Sequence, residues 1–595
     1  VVELSANARR VLEARYLRRD RELRIVETPE QLFERVARGV AHAELLLGDA
    51  ARAAHWEERF LELLTHLDFL PNTPTLMNAG TPLGQLSACF VLPVGDSMEE
   101  IFEALKRMAL VQRTGGGTGF SFSRLRPRGA ALVSTGGTTP GPIAFMKVFD
   151  CATENVKLGG RRRGANMGVM RVDHPDILEF IGAKLGGRAL RNFNLSVAVT
   201  DAYMDAAARG ADYALIDPRT GAVAGRLDAG EVFERIVDAA WRTGDPGLLF
   251  LDAINRANPT PHVGAIEATN PCGEIPLLPY ESCNLGSINL ARMVRERDGR
   301  RELDREKLQA TSRAAVRFLD DVIEVCRYPV PEIEAMTRGN RKIGLGVMGF
   351  ADLLVRLGVP YDSDEAERVA EDVMGLIARE AREASAALAA ERGTYPNWKG
   401  SVHEREGLPL RNATQTAIAP TGTISIIAGA SAGIEPLFAL AYRRSHVLEG
   451  ETLHEVAPVF LEALEELGLD AATILPAVVE RGGLRGVAGV PEALKRLFAT
   501  ALEIPPERHL RIQAAFQRHV DNSVSKTVNL PEDASPDDVA RIYRLAWELG
   551  LKGITIYRYG SKGAQVLEYG PGRASPARPG GPGQEDRSSR VRPLC

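Results

Sequence analysis

Apolar residues recur at helical spacing through residues 31–47 and 54–67, so the first seventy positions read as an N-terminal helical region (1–70). The stretch P-N-T-P-T at 71–75 breaks that period and opens a region of short apolar runs, glycine turns and further amphipathic stretches, 71–560. There the pattern predicts helices over 98–113, 143–157, 231–242, 303–326, 350–357 and 363–392, and strands over 87–93, 119–124, 194–199 and 554–557. Strands alternating with helices on this scale give an α/β fold class. Beyond 560 the composition turns to Pro, Gly, Ser and Arg, the mark of a flexible, disordered tail at 561–595. No internal repeat is evident.

A chain of 595 residues with 45% hydrophobic content can bury a large core, and a net charge of -5 gives no electrostatic reason to expect nucleic acid or a membrane as partner. The six cysteines (Cys89, Cys151, Cys272, Cys283, Cys326 and Cys595) form no C-x-x-C pair and no zinc spacing, so no metal site is expected and a reducing cytoplasm is. No apolar leader and no bilayer-length apolar run are present, which also predicts a soluble cytoplasmic protein. The chain starts on Val1 and stops on Cys595, which suggests a fragment.

The richest chemistry lies in N-P-C-G-E-I-P-L-L-P-Y-E-S-C, 270–283. Asn270, Cys272 and Glu274 stand at alternate positions, and the prolines disfavour a helix, so an extended segment would turn all three the same way. A carboxylate beside a thiol raises the thiol pKa, which suits a neutral S–H or a sulfur radical better than an ionic nucleophile. Three glycine-rich stretches invite a nucleotide reading. G-G-G-T-G at 115–119 lacks the Lys-Ser/Thr of a P-loop, and G-L-G-V-M-G at 344–349 follows residues too polar for a buried Rossmann strand. P-T-G-T-I-S at 420–425 suits either a phosphate cradle or an ordinary capped turn. The basic loop at 159–166 is either a solvated charge run or an approach for an anion. Cys151 and Cys326 fall on amphipathic patterns and are expected to be buried apolar residues, and His174 and His262 to be structural.

Taken together, T-P-T-L-M-N-A-G (73–80), L-S-A-C-F-V-L-P-V-G-D-S (86–97), N-P-C-G-E (270–274), C-N-L-G-S-I-N-L (283–290), N-R-K-I-G-L-G-V-M-G (340–349), P-T-G-T-I-S (420–425) and G-I-E-P-L-F (433–438) resemble the ribonucleotide reductases, in family order. The Pro in N-P-C-G-E resembles the class II, adenosylcobalamin-dependent enzymes. The resemblance implies a ten-stranded α/β barrel of two five-stranded halves with a central cysteine-bearing loop. It also implies a thiyl radical on Cys272, a general base in Glu274, an amide hold on the substrate 3′ oxygen from Asn270, and a redox-active pair in Cys89 and Cys283 that ends as a disulfide. Thr75, Ser87, Gly117 and the cradle Pro420, Thr421, Gly422, Thr423, Ile424 and Ser425 would bind substrate. Asp96, Ser97, Met98, Arg126 and Arg163 would bind a deoxynucleotide or ATP effector at a homodimer interface, with the 159–166 loop relaying the signal.

The family's adjacent class I tyrosines are split here by an arginine (Tyr557, Arg558, Tyr559), and no class III glycyl-radical motif occurs, so adenosylcobalamin, a cobalt cofactor, is the implied radical source. The cobalamin signature of the mutases, D-x-H-x-x-G, is absent. Only Cys595 stands where the family carries two tail cysteines, which suggests truncation and leaves a thioredoxin-like or small dithiol reductant as the implied partner. Two further readings remain: a class I large subunit needing a metal-bearing partner, and a catalytically silent nucleotide-binding regulator. Diphosphate and triphosphate substrates are equally open.

Overall fold

The computed structural model describes residues 2–132, 136–158, 162–187, 189–448, 451–561 and 567–568. Its main sheet has ten strands, numbered here in chain order: β1 Phe69–Pro71, β2 Cys89–Val91, β3 Gly117–Ser121, β4 Asn166–Arg171, β5 Phe193–Val199, β6 Gly247–Phe250, β7 Ser282–Asn289, β8 Ile343–Met348, β9 Thr527–Leu530 and β10 Gly553–Arg558. Strands β2 to β6 run parallel, each beside the next. The second half pairs β7 with β8 and β9 with β10, both parallel, and single bridges Leu345↔Thr416 and Ile418↔Val524 carry the ring through residues 416–418. The halves meet antiparallel at both seams, β7 on β2 and β10 on β6. The result is the expected α/β barrel of two five-stranded halves, with β1 as an extra antiparallel strip on β7.

Close backbone approach explains two of its glycines. A Cβ on Gly346 would lie 2.2 Å from the Ala417 carbonyl oxygen, so the glycine lets the bridging segment sit against β8. On Gly119 it would lie 1.8 Å from the Thr269 carbonyl oxygen, where a hairpin passes through the barrel. That hairpin joins Ala268–Thr269 to Pro276–Leu277. Its apolar residues Ile266, Ala268, Ile275 and Leu277 pack in one cluster with Val91, Val169, Leu249 and Leu285 from the barrel wall. The expected central loop is therefore the tip of a hairpin that fills the barrel.

Helices coat the outside. Met98–Arg113 matches its expected range, and Pro142–Asn155, Ala229–Thr243, Arg305–Val325, Phe350–Arg356 and Asp364–Arg392 lie within a few residues of theirs. At the N-terminus, Pro29–Leu46 starts with a capping box, the Gln31 amide N–H donating to Thr28 Oγ1 at 3.3 Å and the Thr28 N–H to Gln31 Oε1 at 2.9 Å. This helix and Ala50–Thr65 share one core with Phe318 and Leu319 of Arg305–Val325, so the N-terminal helical region is packed onto the second half-barrel. Ala6–Arg15 falls within the expected N-terminal helical region, whereas the helices Pro458–Glu466 and Ala471–Arg481 were not foreseen.

Within the stretch expected to be a disordered tail, Ser561 is described and Leu567–Glu568 form a strand paired with Ala441–Leu448. The other tail residues, Cys595 among them, lie outside the described residues. Among the described residues, no helix is long and apolar enough to cross a membrane.

Candidate active site

Asn270, Cys272 and Glu274 come together, but not through an extended strand. The Gly273 N–H donates to the Asn270 carbonyl at 3.1 Å, Gly273 takes φ +82, and the Ile275 N–H donates to Asn270 Oδ1 at 3.0 Å. These bonds close a tight turn at the hairpin tip, which replaces the alternation expected from the prolines. Cys272 is exposed at its apex, whereas Asn270 and Glu274 are each 2% exposed beneath it.

Cys89 and Cys283 are cross-strand partners in the β2–β7 ladder, neighbours within the reach a disulfide needs. Their environments differ. Asn270 Nδ2 donates to Cys89 Sγ at 3.1 Å, whereas the Cys283 thiol donates to the carbonyls of Asn284 and Lys342 at 3.3 and 3.4 Å. Burial pushes both thiols well above the ordinary cysteine range, and the Glu274 carboxylate adds to the shift in each. Burial likewise raises Glu274 to about 7, against a pull in the other direction from the Asn270 side chain. Glu274 Oε2 is buried with no hydrogen-bond partner. This is a carboxyl group poised near neutrality and short of one partner, as a general base awaiting a substrate proton should be.

A cavity of about 700 Å³ opens over the hairpin tip. Cys272, Asn194, Pro420, Gly422, Ser425, Phe438, Ala501 and Tyr557 are among the residues that line it. The cradle is therefore only partly presented. Thr421, at φ +51, accepts the Gly433 N–H on its hydroxyl at 2.7 Å, which pins the turn, and Thr423 stands before the short helix Ile424–Ala428 without a side-chain capping bond. Thr75 is buried and donates its hydroxyl to the Leu86 carbonyl at 3.0 Å. Ser87, also buried, lies 3.4 Å from Ser282 Oγ, and Gly117 is opposite Cys89 in the ladder, where a Cβ would crowd Pro271 Cγ at 3.0 Å.

Residues 87–409 and 404–557 match the family model described as ribonucleotide reductase, barrel domain, and residues 2–84 match ribonucleotide reductase, all-alpha domain. The chain belongs to the ribonucleotide reductases. It is 53% identical over 569 residues to a vitamin B12-dependent ribonucleoside-diphosphate reductase of Mycobacterium tuberculosis, covering 96% of this chain and 80% of that one. Identity to the protein of the same description from Thermoplasma acidophilum is 49% over 624 residues, covering 96% and 81%. Among solved structures, the Actinobacillus ureae class Id ribonucleotide reductase alpha subunit shares the fold at a TM-score of 0.75 and 24% identity, covering 94% of this chain and 97% of that one.

In this reductase the candidate effector residues form a separate group around the start of helix Met98–Arg113. Ser97 caps the helix, Met98 is exposed, and Arg126 is bonded to Asp96 at 2.8 Å. The Arg163 side chain lies outside the described residues, as does much of the 159–166 loop. Cys326 is buried as expected, but Cys151 is exposed: its helix buries Phe149 and Thr153 and turns the cysteine outward. His174 is structural, its Nε2 bonded to the Leu125 carbonyl at 2.8 Å. Among the described residues no cluster of His, Cys, Asp or Glu could hold a metal ion.

Asn194 escaped the sequence reading. It sits on β5, lines the cavity, and donates from Nδ2 to the Pro271 carbonyl at 2.8 Å, bracing the peptide next to Cys272. A lone carboxamide near the start of a mostly apolar strand was the available signal. Glu435 and Lys526, bonded to each other at 2.6 Å in the cavity wall, were also missed.

Proposed function

We propose that this protein reduces ribonucleoside diphosphates to 2′-deoxyribonucleoside diphosphates by thiyl-radical chemistry dependent on adenosylcobalamin. The observation that carries the reading is the hairpin tip itself: a cavity-facing thiol set over a buried, underpartnered carboxyl group raised to about 7 and two opposed buried thiols. The diphosphate level and the cofactor follow the relatives' descriptions. The cavity suits a bulky partly apolar group, because its lining includes, besides the residues that would hold the substrate phosphates, Leu437, Phe438, Ala439 and Ala501. Those residues would hold the cofactor, which when bound supplies the one-electron oxidation that makes the Cys272 sulfur a radical.

The chain's own groups perform the rest. Cys272 takes the 3′ hydrogen from the ribose, and Glu274 accepts the 3′-hydroxyl proton. Asn270 Nδ2 keeps one N–H on Cys89 and has a second for the 3′ oxygen. As the 2′-hydroxyl leaves as water, Cys89 and Cys283 give up two electrons and two protons and become a disulfide. Cys272 then returns the hydrogen to C3′. The barrel interior keeps water and stray reductants from the radical. Gly422 and Ser425 would face the substrate phosphates, while Thr75 and Thr421 act through the backbone they hold.

The radical would come from the bound cofactor instead of a second subunit. Arg558 stacks over Trp241 at 4.2 Å and donates from Nε to the Trp241 carbonyl at 3.1 Å, so it separates Tyr557 from Tyr559 by a fixed side chain. A deoxynucleotide or ATP effector at Asp96, Ser97, Met98, Arg126 and Arg163, a homodimer through that surface, and a thioredoxin-like or small dithiol reductant complete the reading.

The test is anaerobic turnover of the purified chain with adenosylcobalamin and a small dithiol, with neither iron nor a second protein added. Di- and triphosphates are run in parallel. Deoxynucleoside diphosphate formed only with the cofactor supports the reading. Product that appears only with a metal-bearing subunit, or none at all, overturns it.

A further inference from the structure

Beside Cys283 lies a buried ion pair that the mechanism above does not use. Lys342 Nζ and Glu281 Oε2 are 2.9 Å apart with side chains 1% and 0% exposed. Glu281 is held further by the Leu278 N–H on Oε2 at 2.8 Å and by Asn340 Nδ2 on Oε1 at 2.6 Å. Both members adjoin one thiol. Glu281 stands two residues before Cys283, so their side chains share a face of the chain. Lys342 supplies the carbonyl that receives the Cys283 S–H at 3.4 Å.

Burying two charges is expensive, and a well-packed apolar pair would serve stability as well or better. A fully buried ion pair beside a reacting sulfur therefore calls for a role that apolar residues could not fill. We propose that Lys342 and Glu281 are positioning residues for the redox couple: they fix the Cys283 thiol through the Lys342 carbonyl and set the charge field in which that sulfur exchanges. The proposal rests on the reading of Cys89 and Cys283 as the redox pair.

The two charges act in opposite senses on Cys283, the carboxylate opposing a thiolate and the ammonium favouring it. The other groups facing this sulfur are Glu274 from the hairpin tip, which also opposes a thiolate, and the Cys89 thiol across the ladder. Beyond Lys342 lies a second buried cation, Lys552, which donates to the Asp521 and Asn522 carbonyls, both at 2.5 Å. Removing one member of the pair should move thiol exchange one way, and removing the other should move it the opposite way. Loss of a merely structural bond would slow both alike.

The experiment follows oxidation of the reduced full-length enzyme by hydroxyethyl disulfide at pH 8 without air. The dithiol and the reagent give the Cys89–Cys283 disulfide and two molecules of mercaptoethanol, scored by mass mapping of the cysteine peptides. Glu281→Gln should react about threefold faster and Lys342→Met about threefold slower, the net of more or less thiolate against its changed nucleophilicity. Lys342→Arg, which keeps the cation, should stay near the parent. Changes of the same sign in the first two variants, or none, overturn the proposal. Should Lys342→Met fail to fold, the near-isosteric Glu281→Gln decides alone, and no acceleration there overturns it. The parent enzyme separates this failure from that of the underlying reading: if turnover without reductant leaves no Cys89–Cys283 disulfide, the redox-pair assignment itself falls.

Discussion

Glu274 at the hairpin tip and Asp320 on helix Arg305–Val325 are both shut away from water, and their carboxyl groups titrate in opposite directions. Burial alone pushes both up. Glu274 meets only a carboxamide and goes to about 7. Asp320 meets Arg341, Arg411 and Arg392, with Arg341 Nη2 at 2.8 Å and Arg392 Nη1 at 3.0 Å, and the three guanidiniums overcome burial to bring it to about 2. The same network reaches Glu44 on the N-terminal helix Pro29–Leu46 through Arg392 and Arg317, so it stitches the helical layer to the barrel. Burial with partners builds structure here, and burial without them leaves a group ready to react.

Substitutions can break that contrast. The largest effect should come from Cys272→Ser, which removes the sulfur proposed to carry the radical. Reduction should fall by about 10⁴-fold or more, with nucleotide binding by equilibrium dialysis unchanged. Next comes Glu274→Gln, with a loss of about a thousandfold in kcat. In the parent, kcat should rise with pH through about 7 as Glu274 ionises, and the variant should lack that limb. Stability should move the other way. The folded protein holds the Glu274 proton up to about 7 while the unfolded chain releases it near 4.5, so parent stability falls as pH rises across that window. Glu274→Gln should therefore melt higher than the parent at pH 8, by the equivalent of about 3 kcal/mol, and show almost no difference at pH 4.

Asp320→Asn should give the mirror image, a loss of about 3 kcal/mol near neutrality with turnover per folded molecule retained. Its contribution is present above pH 3.8 and is lost as pH falls toward 2, so the acid arm of the parent's melting curve should flatten in the variant. A drop in turnover as large as that of Glu274→Gln would erase the distinction between the two carboxylates.

The same contrast explains how much of the molecule its sequence disclosed. Helices with one wet face, such as Met98–Arg113, showed their period plainly. Strand β8 did not: all six residues of Ile343–Met348 are buried, so no alternation survives. The polar run before it argued against a buried strand, yet Asn340, Arg341 and Lys342 are themselves buried because Asp320 and Glu281 receive them. Single residues cannot display such partnerships, because the partner lies tens of positions away. The site was legible as residue types and family motifs. The turn that assembles it was not, since the prolines spoke for extension while Gly273 and the Asn270 side chain made a hairpin tip.

The smallest effect tests that tip directly. Asn194 makes one hydrogen bond to the hairpin, Nδ2 to the Pro271 carbonyl, and its side chain is otherwise open to the cavity. Asn194→Ala should cost stability only about 1 kcal/mol, the worth of a single bond whose freed carbonyl water can reach. The turn it braces is also closed by its own bonds from Gly273 and Ile275, so Cys272 should shift without being released. Misplacing a reacting atom by a fraction of an ångström costs rate steeply, and kcat should fall about tenfold with the pH limb at about 7 retained, because Glu274 keeps its burial. A loss confined to KM would instead make Asn194 a substrate contact and not a brace. Asn194→Asp divides these outcomes further: an acceptor in place of the Nδ2 donor faces the Pro271 carbonyl repulsively and should be slower than the alanine variant, whereas a substrate-binding role would let the two differ through KM alone.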